Sequence, residues 1–178
     1  MRKHNGMRPQ DIVILLQMMT AKNNNNWTFS EIANALQISE SEVSMSMERN
    51  RVAGLVNPSK NLVNILALRD FLIHGIKYVF PPQVGSSVRG IATAHSAPPI
   101  NQQIVGDNEI YVWAYYKGTR KGNSIVPLYD KIPKIVGNEP ALYEYLTIID
   151  TLRIGKTREI EIAIKELDKR LNEYVGKY

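Results

Sequence analysis

The side chains best equipped for chemistry in this chain gather in one stretch, where Arg89, Thr93, His95 and Ser96 follow one another closely. A guanidinium with two hydroxyls and an imidazole can line a pocket for an anion or a small polar ligand, through charge-assisted and neutral hydrogen bonds. Adjacency of His95 and Ser96 does not make a catalytic pair. A nucleophile needs its base in space, oriented by a third group, and no Gly-x-Ser-x-Gly turn is present. A loop whose Ser and Thr hydroxyls satisfy its own backbone explains the same residues. The chain has no cysteine, which removes disulfides, thiolate metal ligands and thiol nucleophiles together. Its imidazoles, His4, His74 and His95, lie far apart, and His74 falls in an apolar helical pattern where a structural role is expected. No catalytic residue, metal or cofactor is expected, and the chain does not read as an enzyme.

Charge is the second chemical signal. Lys and Arg number 22 against 17 Asp and Glu, a net charge of +5. The surplus is largest over residues 1–80, at nine cations to six anions, and is one in each of 81–130 and 131–178. A mild basic bias of this kind suits a polyanionic partner without requiring one.

The elements that would position these groups can be read from caps and periodicity. Pro9 suits the first turn of a helix that carries Ile12, Leu15, Leu16 and Met19 on one face, and the run Asn23 to Asn26 is expected to stop it in a solvated turn. Thr28 and Glu31 have capping-box spacing ahead of Ile32, Ala33 and Leu36. Ser39 and Glu42 repeat it ahead of Val43 and Met47. Two capped helices joined by a tight turn at Gln37 and Ile38 have the spacing of a helix-turn-helix. Gly54 can end the second helix in a left-handed conformation, and Leu55-Val56 and Leu62-Val63 flank a turn at Asn57-Pro58-Ser59-Lys60, which predicts a small hairpin.

The run Phe29-Ser30-Glu31-Ile32-Ala33-Asn34-Ala35-Leu36, with Ile38-Ser39-Glu40-Ser41-Glu42-Val43-Ser44 and Gly54-Leu55-Val56, resembles the winged helix-turn-helix regulators of the MarR-like bacterial classes. It departs from their pattern at Gln37, where glycine is common, and at Ser46 and Asn50, where aliphatic residues are usually buried. The resemblance implies a transcription regulator that binds double-stranded DNA as a homodimer. The helix begun by Ser39 would enter the major groove, with Ser41, Ser44, Met45 and Arg49 nearest the bases or phosphates and Arg51 and Lys60 on phosphates. Glu40, Glu42 and Glu48 on that helix would repel phosphate unless they face away or read cytosine. The competing reading is a protein-interaction module, antitoxin-like or defence-associated, whose partner is encoded by a neighbouring gene.

Beyond this front segment, Asn64 can cap a helix through Leu66, Leu68, Phe71, Leu72, Ile76 and Val79 that is apolar on more than one face. Residues 84–104 read as a long unpatterned connection, ordered against the body. Residues 109–116 and 124–128, around the basic turn Lys117 to Gly122, read as a β-hairpin. Its aromatics are expected in the core, while Arg120 and Lys121 at the tip can approach a phosphate backbone. Pro140 can open a helix that Gly155 ends, and Thr157 can cap a last helix with Ile160, Ile164, Leu167, Leu171 and Tyr174 as its seam. That seam fits either intramolecular packing or dimerisation. Asp150, Arg153, Lys156 and Arg158 are expected to form a charged corner between the two helices. The whole predicts an α+β, mostly helical chain in three parts: a DNA-binding domain at 8–80, a loop and hairpin segment at 81–132, and C-terminal helices at 133–178. Neither a membrane-spanning run nor a signal-like start is evident, so a cytoplasmic location is expected.

Overall fold

The structure, a computed structural model, describes residues 6–21, 27–104 and 109–175. The predicted turn at Asn23 to Asn26 lies outside the described residues, as does His4. The chain divides into two compact units, Met1–Asp70 and Phe71–Tyr178. This corrects the three-part reading. The middle strands and the C-terminal helices bury one another's apolar residues, so neither forms a unit alone, and the break falls at Asp70 instead of at 80.

The first unit is α1 (Pro9–Thr20), α2 (Phe29–Leu36), α3 (Glu40–Val52) and α4 (Ile65–Asp70). Pro9 stands at the first helical position of α1, and the Asp11 carboxylate accepts from the Arg8 amide at 2.8 Å, closing its N-terminus. Thr28 and Glu31 cap α2 reciprocally, at 3.2 and 2.7 Å. The Ser39 hydroxyl caps α3 through the Glu42 amide at 3.2 Å. Between them Gln37 adopts the left-handed conformation (φ 54°) that the turn demands, and the Ile38 amide donates back to the Ala33 carbonyl at 2.9 Å. Glycine is favoured there because a Cβ is strained at positive φ; here glutamine occupies the position. Ile12, Leu15 and Leu16 of α1 meet Ile32 and Leu36 of α2 and Val43 and Met47 of α3 in the core, all essentially fully buried.

After α3, Gly54 (φ 75°) turns the chain. A narrow loop then folds back so that Val56 and Val63 form a single antiparallel bridge. The Asn57 side chain holds the loop, accepting from the amides of Asn61 and Leu62 at 3.0 and 3.1 Å. The predicted hairpin is therefore present in minimal form. Asn64 caps α4, its Oδ1 accepting from the Ala67 amide at 3.2 Å.

The second unit opens with a wide π-type turn (Phe71–Gly75) and α5 (Ile76–Val79). His74 is exposed there. Next come β1 (Val84–Thr93), β2 (Tyr111–Ala114) and β3 (Arg120–Ile125), then α6 (Ile132–Ile135), α7 (Pro140–Ile154) and α8 (Thr157–Val175). Two expectations fail in this region. The first half of the supposed irregular connection is the long strand β1, which Gly85, Ser86, Ser87 and Gly90 disguised. The supposed hairpin is not one, because β2 and β3 run parallel to each other and both pair antiparallel with β1.

β1 pairs with β3 along its first half and with β2 along its second, so the three strands close into a small barrel. A register irregularity between Val84 and Ser87 helps β1 bend. Gly90 is the crossing point, paired with both Ala114 and Arg120. A Cβ on Gly90 would lie 2.1 Å from the Trp113 carbonyl oxygen, and one on Gly118 would lie 2.1 Å from the Gly90 carbonyl oxygen. Closure at this point thus requires backbone to touch backbone.

α7 carries the core of this unit, with Leu142, Leu146, Ile148, Ile149 and Leu152 all buried. α8 packs against it through Ala163, Leu167, Leu171 and Tyr174. Arg170 reinforces the pair by reaching Glu144 at 2.6 Å. The predicted seam is thus used within the subunit, with Ile160 and Ile164 only half-buried at its margin. Glu159, not Thr157, closes the start of α8, accepting from the Lys156 amide at 2.6 Å. Among the described residues, no helix is long and apolar enough to cross a membrane.

Candidate functional site

The outward strip of α3 is Glu40, Ser41, Ser44, Met45, Glu48, Arg51 and Val52, at helical spacing. Its residues are exposed, and Ser39 is exposed at the cap. Small hydroxyls and one flexible thioether give this strip a low profile, with donors and acceptors suited to base edges and an apolar surface suited to a thymine methyl.

Arg49 is not on that strip. Its Nε and Nη2 donate to the two Asp11 carboxylate oxygens at 2.8 and 2.7 Å, and Nη2 also reaches Glu42 at 2.8 Å. The Asp11 side chain is 0% exposed and that of Arg49 only 11%, so the guanidinium is consumed inside the unit. The Asp11 hydrogen bond, with Glu42 adding to it against the cost of burial, holds the Arg49 pKa above its ordinary value. Arg49 is therefore a fastener between α1 and α3, which corrects its expected place among the groove contacts. Ser46 and Asn50, the polar departures noted in the sequence, face the same way: both are fully buried, and the Asn50 amide donates to the Asp11 carbonyl at 3.3 Å.

Arg51 and Lys60 remain at the surface but share one carboxylate. Glu48 accepts from Arg51 at 3.0 and 2.6 Å and meets Lys60 at 2.6 Å. Arg51 first, and then Lys60, hold the Glu48 pKa down at about 2. Two predicted phosphate contacts thus stand in the structure with Glu48 as competitor, a net single positive charge. Of the acids that raised concern, Glu42 faces inward, Glu48 is occupied, and Glu40 is exposed.

The second candidate group, Arg89, Thr93, His95 and Ser96, is not brought together as a pocket. Thr93 is buried and donates to Asp150 at 2.8 Å, beside the Trp113 indole N–H at 2.7 Å and Arg153 at 2.7 Å on the same carboxylate. Arg153 is held in turn by the Phe80 carbonyl at 2.9 Å. The charged corner is thus half internal: Asp150 and Arg153 are buried, while Lys156 and Arg158 are exposed. His95 is buried edge-on to Tyr111, with Nε2 3.2 Å from the Glu109 carbonyl oxygen and Nδ1 3.5 Å from the Glu159 carboxylate. Ser96 accepts from the Tyr111 amide at 2.9 Å and donates to the Glu109 carbonyl at 3.2 Å. These three groups satisfy the fold. Arg89 stands apart and exposed, four residues back along β1, roughly 13 Å in extended chain.

The partners Asp11 and Asp150 were not visible to sequence reasoning, since they meet Arg49 and Thr93 across 38 and 57 positions. The only advance signal was their placement, Asp11 in the first turn of a helix and Asp150 within an apolar one. Among the described residues no cluster of three or more His, Asp and Glu could hold a metal ion. No known protein family, curated protein or solved structure matches this chain.

Proposed function

We propose that this chain is a transcription regulator of the winged helix-turn-helix kind, acting in the cytoplasm as a homodimer that seats α3 in the major groove of double-stranded DNA. The observation that carries the reading is the exposed Ser41, Ser44, Met45 strip on a helix capped by Ser39 and fastened to α1 by Arg49. A groove reader must be anchored to its domain and slim where it meets the bases, and α3 is fastened by Arg49 and carries the short Ser41 and Ser44 at the centre of its outer side. Arg51 and Lys60 serve as phosphate contacts once Glu48 yields them, which predicts a modest electrostatic share on this face. Twofold pairing would present two such helices to a palindromic site.

The experiment is fluorescence polarisation with random-sequence duplex from low to moderate salt. The wild-type chain binds and weakens as salt rises. Met45→Glu weakens binding, and Glu48→Gln tightens it because both cations are released from their shared carboxylate. Absence of binding at low salt, or a Glu48→Gln variant no tighter than wild type, removes this reading. One observation favours the second reading, a module that clasps a protein encoded by a neighbouring gene: Met45 and Val52 leave apolar surface on α3 beside Glu40, and every cation nearby is already paired. Co-purification of such a protein without DNA is its signature.

A further inference from the structure

We infer that the three-stranded barrel of the second unit is a nucleic-acid backbone-binding surface in its own right, formed by Arg89, Lys117, Arg120 and Lys121 with Tyr116 beside them.

The backbone brings these residues to one place. Arg89 lies directly opposite Lys121 in the β1–β3 register and shares its face, while Arg120, opposite Gly90, projects from the alternate face at the same end of β3. Lys117 precedes Gly118, whose backbone rests on Gly90. Three chain segments therefore converge on Gly90, and each carries cations next to the contact. All four are exposed, and none forms an ion pair among the described residues. Residues 84–93 and 111–125 contain no Asp or Glu. Glu109, the described acid just ahead of β2, is engaged by Lys156 at 3.2 Å.

Two like charges directly opposite on antiparallel strands destabilise a sheet, and among the described residues no acid pairs with Arg89 or Lys121. A phosphate placed between them turns the repulsion into two charge-assisted hydrogen bonds. Tyr116 completes the arrangement. Its side chain is 75% exposed at the turn, edge-on to Tyr115, with the Lys117 ammonium 5.4 Å from its ring centre. An exposed aromatic ring among unpaired cations is how proteins hold a nucleic-acid strand without reading it, by phosphate contact and base stacking. The contrast with α3 is one of charge: Arg51 and Lys60 share Glu48, whereas the barrel cations are unshared. The inference stands on this contrast and does not depend on α3 entering a groove.

The test uses the full chain, random-sequence duplex and single-stranded oligothymidine, with polarisation read across a salt series. The triple variant Arg89→Gln, Lys121→Gln, Arg120→Gln melts at or above the wild-type temperature, because it removes repulsion and no ion pair. It loses roughly 0.9 of log–log salt slope per lost contact on duplex, or roughly 0.7 on single strand, with at least one probe showing the loss. Tyr116→Ala weakens oligothymidine roughly ten-fold. A folded triple variant with the wild-type slope and affinity on both probes overturns the inference, even if Met45→Glu weakens duplex binding and so upholds α3. Binding of the wild-type chain to anionic lipid vesicles, with no binding to either nucleic acid, overturns it in favour of a membrane surface. Loss of slope in the triple variant while Met45→Glu binds normally upholds it and removes the α3 reading instead.

Discussion

Replacing Arg49 with Ala tests whether this residue belongs to the fold or to a ligand. In the structure its guanidinium forks onto Asp11 at 2.8 and 2.7 Å and touches Glu42 at 2.8 Å, with Asp11 wholly buried. Breaking a buried pair by removing one partner costs about 3–5 kcal/mol, because the other charge stays behind in a poorly solvating site. Asp11 keeps the Arg8 amide at 2.8 Å and the start of α1, which places the cost near the lower end, about 3 kcal/mol. In a unit of this size such a loss lowers Tm by roughly 12–24 °C. Circular dichroism melts and urea titration of the full chain measure it, and the lost transition is that of the first unit. The double change Asp11→Asn with Arg49→Met leaves no buried charge and recovers much of the loss. If Arg49→Ala melted within about 0.5 kcal/mol of wild type, the value for an ordinary surface substitution, the fastener argument would be refuted. A DNA contact would give the opposite pattern, with stability kept and affinity lost.

Two further outcomes follow from the second unit. Gly118→Ala forces a Cβ to within 2.2 Å of the Gly90 carbonyl group, so the barrel must part, at a cost of about 3 kcal/mol or more. Gly137→Ala, where nothing lies within 4 Å, is the control and melts near wild type. Burial pushes the Tyr145 hydroxyl up to about 12 from 10.0, with Arg170 opposing and Glu173 adding. A raised folded-state pKa means stability that is full below pH 10 and falls as pH rises towards about 12, by about 2–3 kcal/mol for this group. Urea midpoints at about pH 9 and about pH 11.5 measure the fall. Tyr145→Phe removes this part of it, and an equally steep fall in that variant contradicts the assignment.

What could be read in advance was whatever depends on near neighbours in the chain. Pro9, the Thr28–Glu31 pair, the Ser39 cap, Gly54 and Asn64 each act within four residues, so the helical frame of the first unit and the loop after α3 were legible. The exposed strip Ser41, Ser44 and Met45 followed from the same helical period. Strand β1 was not legible, because small residues and two glycines carry little β-signal, and its identity comes from partners 18 or more positions away. The basic turn at Lys117 to Gly122 suggested a hairpin for a sound local reason. A third strand, sharing Gly90 with both arms, won instead.

Helix starts and stops, the overall mixture of α and β and the inventory of charges follow from side-chain type and from spacing within a turn or two. Tertiary structure alone decided which charges are free. Asp11 and Glu48 take up the cations of α3, and Arg89 and Lys121 face each other with no acid paired to them among the described residues. The physical reason is that an ion pair forms by distance in space, at 3 Å or so, and the chain brings residues dozens of positions apart to that distance only by folding.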